Sequence, residues 1–244
     1  MVEAEVVIGI PGQWKNRTEL IQSVAAKSEG YLLAGSIIHN GNKNIGFQVE
    51  VYEQDPNLKE AFFYAGGDSF ENSLLEEIDK HTFTVYVFAN KNSIEGIKEI
   101  IDVAAALLKA GGLAVKIETT GVAHTKEDWF QLFDNQDFFP IYSHFVTLIG
   151  DNDVFYSCGM KAFGLPDVVV PSIISADEAA DLLNNFNLYN IVDRPTFKDG
   201  ATFSLEEESP RYKIHFIDDF RYEEDDIFFN SFGLYNLSHY RNHE

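Results

Sequence analysis

Glu118, Thr119, Thr120, Gly121 and His124 form the first arrangement in this chain that could do chemistry. An imidazole can serve as general base near neutral pH, with a carboxylate such as Glu118 to orient it. Gly121 would let a ligand approach the backbone, and the amides after Thr125 would open a helix able to hold an anion. Thr119 and Thr120 would add hydroxyls for binding. The same residues also suit a plainer role, with Thr125 capping a helix and the other polar groups hydrogen-bonding a turn.

The single cysteine supplies the second arrangement. Cys158 lies in Ser157-Cys158-Gly159-Met160-Lys161, followed by Gly164-Leu165-Pro166-Asp167. A lone thiol with a histidine elsewhere is the minimum for nucleophilic catalysis. A cleft shared by Glu118, His124 and Cys158 would make the protein a small-molecule hydrolase or transferase, with Met160 and Asp167 as binding residues. Against this, a cysteine at the end of an aromatic strand has the setting of a buried, inert thiol, and Asp167 after a proline suits a cap or a turn. The third arrangement is late and acidic. Glu206-Glu207-Glu208, Asp218-Asp219 and Glu223-Glu224-Asp225-Asp226 precede Phe228-Phe229, Phe232, Tyr235 and Tyr240. Aromatic residues among acids suit a protein-binding rim, or an edge strand whose aromatic side faces the core.

The familiar motifs are missing from the sequence: no glycine-rich dinucleotide loop, no phosphate-binding loop, no HExxH, no GxSxG and no calcium loop. The histidines are scattered and one cysteine cannot build a thiolate zinc site, so neither a metal nor a cofactor is expected.

These residues must be positioned by an alternation of strands and helices. Residues 5–10 read as a strand stopped by Pro11-Gly12, and residues 15–27 as a helix. Strands over 31–38 and 45–52 join through His39-Asn40-Gly41-Asn42, a hairpin signal. Two short helices over 57–65 and 69–80 precede a strand over 82–89. The strongest helix spans 92–110. Asn92 and Glu95 stand at capping-box spacing, Ile94, Ile97, Ile101, Ala104 and Leu108 make an apolar stripe, and Gly111-Gly112 ends it. A strand over 113–118 makes a βαβ unit with parallel strands and a right-handed crossover, which would put Glu118 to His124 at a strand end where ligands collect. Strands over 143–149 and 154–158 flank a polar turn, a short strand covers 168–170, Ser175 and Glu178 cap a further helix, and the tail is strand-rich.

The order implies an α+β fold, with mixed β-sheets carrying helices on one face and a β-α-β-β-α-β pattern that allows two ferredoxin-like halves. The chain reads as one compact domain over residues 1–244, with pseudo-lobes at 1–139 and 140–244. Its 244 residues carry 39 acidic and 18 basic side chains, a formal charge of −21. That charge repels a phosphate backbone, so no nucleic acid is expected, and it favours a basic protein partner. No apolar run is long enough for a membrane span, and the N-terminus, with Glu3 and Glu5, lacks the basic region of a signal peptide. A cytoplasmic protein is expected. Aromatic and β-branched strands leave a homodimer open.

Ile10-Pro11-Gly12-Gln13-Trp14, the run from Ala110 to Glu118 with Gly121-Val122-Ala123-His124, and Ser157-Cys158-Gly159-Met160 with Phe163-Gly164-Leu165-Pro166-Asp167 together resemble an uncharacterised bacterial family catalogued as domain of unknown function 4261. Phe229 to Tyr235 looks like a looser version of that family's ending. The resemblance implies no activity, cofactor or catalytic residue. Some such families stand near toxin systems as immunity proteins. The expectation is a non-enzymatic accessory protein that works by binding another protein.

Overall fold

The computed structural model describes residues 5–240. Glu3, part of the N-terminal signal-peptide argument, lies outside the described residues. The chain divides into two compact units, Met1–Gln136 and Asp137–Glu244, each with its own sheet.

The first unit runs β1 (Val6–Gly12), α1 (Arg17–Lys27), β2 (Tyr31–Ala34), β3 (Ile37–Asn40), β4 (Ile45–Glu53), α2 (Leu58–Gly66), α3 (Asn72–Asp79), β5 (Phe83–Ala89), α4 (Ile94–Lys109), β6 (Ala114–Ile117), β7 (Val122–Thr125) and α5 (Lys126–Asp134). Its sheet has the order β2-β3-β4-β5-β1-β6-β7. Strands β5 and β6 each pair antiparallel with β1, so they are parallel to one another across α4, but β1 lies between them. The run β4-β5-β1-β6 is the split pattern of a ferredoxin-like sheet, enlarged by the β2–β3 hairpin and by α2–α3. Helices cover both faces of this sheet, not the single face expected. Helices α2 and α3 pack with Ala114 and Ala123. Ile8 and Ile10 point the other way, and the Ile10 side chain crowds Gly112 together with Leu107 and Leu108 of α4.

Three local expectations change. The strand does not stop at Pro11-Gly12: β1 runs through both. The Pro11 carbonyl accepts from the Leu113 N–H, so the Pro11 nitrogen faces the β6 side too, where strand pairing covers only Ile8 and Gly9 before the isolated Gly12–Gly112 bridge. The missing donor falls in that gap. Residues 31–38 are not one strand, because Gly35 takes φ +62° and turns β2 into β3. Ser93, and not Asn92, caps α4, its hydroxyl accepting from the Gly96 N–H.

The second unit runs α6 (Phe138–Phe145), β8 (Thr147–Gly150), β9 (Val154–Cys158), a 3-10 turn at Met160–Phe163, β10 (Asp167–Pro171), α7 (Ala176–Asp193), β11 (Thr202–Phe203), β12 (Tyr212–Ile217) and β13 (Leu234–His239). The sheet order is β11-β12-β13-β10-β9-β8, with β10 and β13 parallel and every other pair antiparallel. That order is not ferredoxin-like. Residues 143–145 close a helix and do not begin a strand, and Pro140 sits in its first turn, where its missing N–H costs little. Ser175 and Glu178 form the expected capping box. Helix α7 packs Leu182, Leu183 and Phe186 on Val168, Val170, Ile214 and Leu237. Strand β13 is interior, and its Tyr235 stacks edge-on against Phe186 and Phe197. The opposite face carries a smaller cluster of Tyr156, Val169 and Leu234. Ile217 pairs with Leu234 where β12 meets β13, and residues 218–233 leave and return through that closed neck without forming a helix or strand.

Candidate functional site

The turn at Glu118 to Gly121 joins two antiparallel strands, β6 and β7. It does not lead from a parallel strand directly into a helix. Its groups are consumed locally. Gly121, at φ +69°, donates its N–H to the Ile117 carbonyl at 2.9 Å, and Thr119 and Thr120 are buried. Lys116 pairs with Ala123 and Val115 with His124, so neighbouring pairs point to opposite faces. Glu118 is ion-paired to Lys116, and its Oε1 would lie 2.9 Å from a Cβ placed on Gly9. The His124 ring lies on the other face, 5.8 Å from that of Trp129 in α5. The sheet thus separates the carboxylate from the imidazole it was expected to orient. Thr125 caps α5, accepting from the Asp128 N–H at 3.1 Å. Glu127 and Asp128 place negative charge in the first turn, which opposes an anion there.

Cys158 belongs to the second unit. It ends β9 with 1% of its surface exposed, and burial, then the charge of Asp167, pushes its thiol up to about 12. A thiol so held is neutral at physiological pH, which is the reverse of an activated nucleophile.

Met160 and Asp167 do come together, in a buried polar network. The Asp167 carboxylate accepts from the Ser157 hydroxyl at 3.3 Å, the Met160 N–H at 3.1 Å, the Arg221 Nη2 at 3.0 Å and the Asn230 Nδ2 at 2.9 Å. Arg221 also donates Nε and Nη2 to Asp219 at 2.9 and 2.8 Å, and Nη1 to the Ser157 carbonyl at 2.6 Å. Its guanidinium lies over the rings of Tyr156 and Tyr222. Lys161 is buried as well, and its ammonium donates to the carbonyls of Ile227 and Phe229. Burial holds the Asp167 carboxyl above its ordinary value, although Arg221, Asn230 and Met160 pull it down. All four of its partners donate to it, the setting of an ionised carboxylate. At Arg221 burial opposes the charge, but Asp219 and Asp167 outweigh it and hold its pKa above the ordinary value. At Asp219 burial is likewise outweighed, by Arg221 and by the Asn230 N–H, and the carboxyl is held below its ordinary value. Asp167 is therefore a hub of the fold with its lone pairs in use, and Met160, fully buried, contributes a backbone N–H.

A cavity of about 540 Å³ lies beside this network. Residues 218–233 form most of its wall, with Asp218, Glu223 and Glu224 as carboxylates and Phe220 and Phe229 as aromatic faces, and Phe216 of β12 adds another. Asp219 and Asn230 are shared between wall and network. Asp219 is spent on Arg221, leaving three carboxylates for a ligand. Among the described residues no three histidine, cysteine, aspartate or glutamate side chains converge as metal ligands do. Separated carboxylates with aromatic faces suit an extended organic cation, held by charge and by the ring quadrupoles.

The network includes residues not singled out from the sequence: Arg221, Asn230 and Asp219 as its partner. One signal was available. Arg221 is a lone cation inside an acidic run, between Asp219 and Tyr222, and such a residue is often a paired one.

The fold and site define an α+β chain of two sheets whose second unit is organised around a buried ion network. Residues 156–230 match the family described as Domain of unknown function (DUF4261), the family that the sequence motifs resemble. The matched residues begin at Tyr156 and end at Asn230 and contain every member of the network. The motifs at 10–14 and 110–124 fall outside the match. There they form a different contact. The Trp14 indole N–H donates to the Ala110 carbonyl at 2.9 Å, and its ring lies over Gly12, where a Cβ would meet it at 2.3 Å. No curated protein and no solved structure matches the chain. Among the described residues no helix is long and apolar enough to cross a membrane.

Proposed function

We propose that the protein acts by association with another protein, taking a basic segment of its partner into the acidic, aromatic cavity of the second unit. The observation that carries this reading is the cavity itself, lined by three unspent carboxylates and by the rings of Phe216, Phe220, Tyr222 and Phe229. The formal charge of −21 adds long-range attraction for a basic partner and raises its rate of encounter. An accessory role such as neutralising a basic protein needs a surface of this kind. The rival hydrolase or transferase draws little support, since its thiol is buried and neutral and its carboxylate and imidazole lie on opposite faces of one sheet.

A fluorescent arginine- and lysine-rich peptide, titrated against the full chain and followed by anisotropy, tests the proposal. Neutralising the wall with Asp218→Asn, Glu223→Gln and Glu224→Gln should weaken binding roughly tenfold, from about 0.5 kcal/mol for each exposed pair lost. The control changes Glu206, Glu207 and Glu208 to glutamine, removing as much charge outside the cavity. Equal weakening by the two triple variants would reduce the interaction to general electrostatics and sink the proposal. So would a wild-type chain that does not bind the peptide.

A further inference from the structure

We infer that residues 218–233 are a latched loop: a polar pin centred on Asp167 holds the loop closed, and withdrawing the pin opens the loop and dismantles the cavity while the sheet stays intact. The inference rests on the binding proposal only for what the closed loop does.

Two features separate loop opening from unfolding. The neck is closed, because Ile217 pairs with Leu234 in the β12–β13 ladder, so the loop can leave without parting strands. Apolar burial also does little to hold it. Within 218–233 the buried residues are Asn230 and Gly233, the side chains of Asp219 and Arg221 are buried too, and no apolar side chain is, with Phe220 and Ile227 exposed. Tyr222 alone packs partly against the Tyr156, Val169 and Leu234 cluster. A segment with few buried apolar contacts opens at a free energy well below that of global unfolding.

The loop is instead tied by hydrogen bonds, those of Arg221, Asn230 and Lys161 joined by the Tyr156–Tyr222 hydroxyl pair at 3.1 Å and by the Asp167 N–H donating to the Gly233 carbonyl at 3.1 Å. Arg221 reaches from the loop to Asp167 and to the Ser157 carbonyl. Asn230 reaches from the loop to Asp167 and to the Leu165 carbonyl at 3.1 Å. Lys161 reaches from the 3-10 turn to two loop carbonyls. The Arg221 and Asn230 side chains both meet on the carboxylate of Asp167, which is itself fixed at the start of β10. Bonds to a buried charge are the strong kind, and losing the charge weakens both ties together. A ligand that needs the closed wall would select the latched state and stabilise it.

Hydrogen exchange of the full chain, without ligand, tests the latch. The amides of Arg221, Asp226, Phe229, Asn230 and Gly233 are hydrogen-bonded within the loop and report its closure. In Asp167→Asn they should exchange roughly ten- to a hundredfold faster, while amides of α7 change by less than roughly threefold. Unchanged exchange in 218–233 would overturn the inference. Equal acceleration in α7 would do so too, by showing that the network supports the whole unit. Should Asp167→Asn fail to fold, Asn230→Ala decides by the same two criteria, since it removes two hydrogen bonds from the loop and leaves the Asp167–Arg221 ion pair in place. Peptide binding by the wild type is scored separately. A chain that latches but binds nothing refutes the binding proposal alone, and one that binds without latching refutes the latch alone.

Discussion

Cys158 offers the sharpest test of whether this chain carries a reactive thiol, because it is the only cysteine and every label reports on it. An ordinary thiol ionises near 8.5, so at pH 7.5 about 9% of it is the reactive thiolate. With its thiol pushed up to about 12, Cys158 is only about 0.003% thiolate at that pH. Ionisation alone therefore slows alkylation about 3,000-fold relative to the unfolded chain, and its burial at 1% exposure slows it further. Iodoacetamide labelling followed by mass spectrometry, in native buffer and in urea, reads this ratio directly. The native rate should rise about tenfold per pH unit from 7 to 9 with no plateau, provided labelling proceeds from the folded state. Native labelling within tenfold of the unfolded rate, levelling off near pH 8 to 9, would refute the burial argument and restore Cys158 as a nucleophile.

The same thiol predicts alkaline instability. Its folded pKa lies above its unfolded one, so its contribution is fully present below about 8.5 and is lost as pH rises towards about 12. Between pH 8.5 and 9.5, before tyrosines ionise, urea midpoints should fall, with a slope for this one group approaching about 1.4 kcal/mol per pH unit, and Cys158→Ala should flatten the trend; an equally steep fall in the variant would refute it. In the first unit, Trp14→Phe leaves the Ala110 carbonyl without its indole donor. It should cost about 1–3 kcal/mol in urea unfolding followed by Trp129 fluorescence, and a loss under about 0.5 kcal/mol would show that water replaces the bond.

Much of the fold was legible because local signals agreed with one another. The stripe on α4, the β-branched run of β5 and the Ser175–Glu178 box each point one way from neighbouring residues alone, and each is found. The α+β class followed from their order. What was not legible depended on long-range pairing. Pro11 reads as a strand breaker until the gap in the β1–β6 ladder is known. Glu118 and His124 read as neighbours until the hairpin assigns them to opposite faces. The capping role weighed for Thr125 is what the structure shows, whereas Asp167 is the centre of a buried hydrogen-bond network. Its partners Arg221 and Asn230 lie far along the chain, and although a lone arginine in an acidic run signals pairing, nothing local says that its partner is Asp167.

The pairing of Ile217 with Leu234 also bears on how such proteins can diverge. A segment that departs and returns at one fixed strand pair is modular: its length and side chains can change while the register of β12 and β13 does not. Chain closure adds little resistance, since each doubling of a flexible loop costs only about 0.6 kcal/mol. Selection can therefore rewrite the outer residues, Phe220 and the run from Glu223 to Ile227, as long as Arg221 and Asn230 still reach Asp167. Related chains built on this plan should keep those three residues, while the lining residues between Arg221 and Asn230 vary with the partner each chain binds.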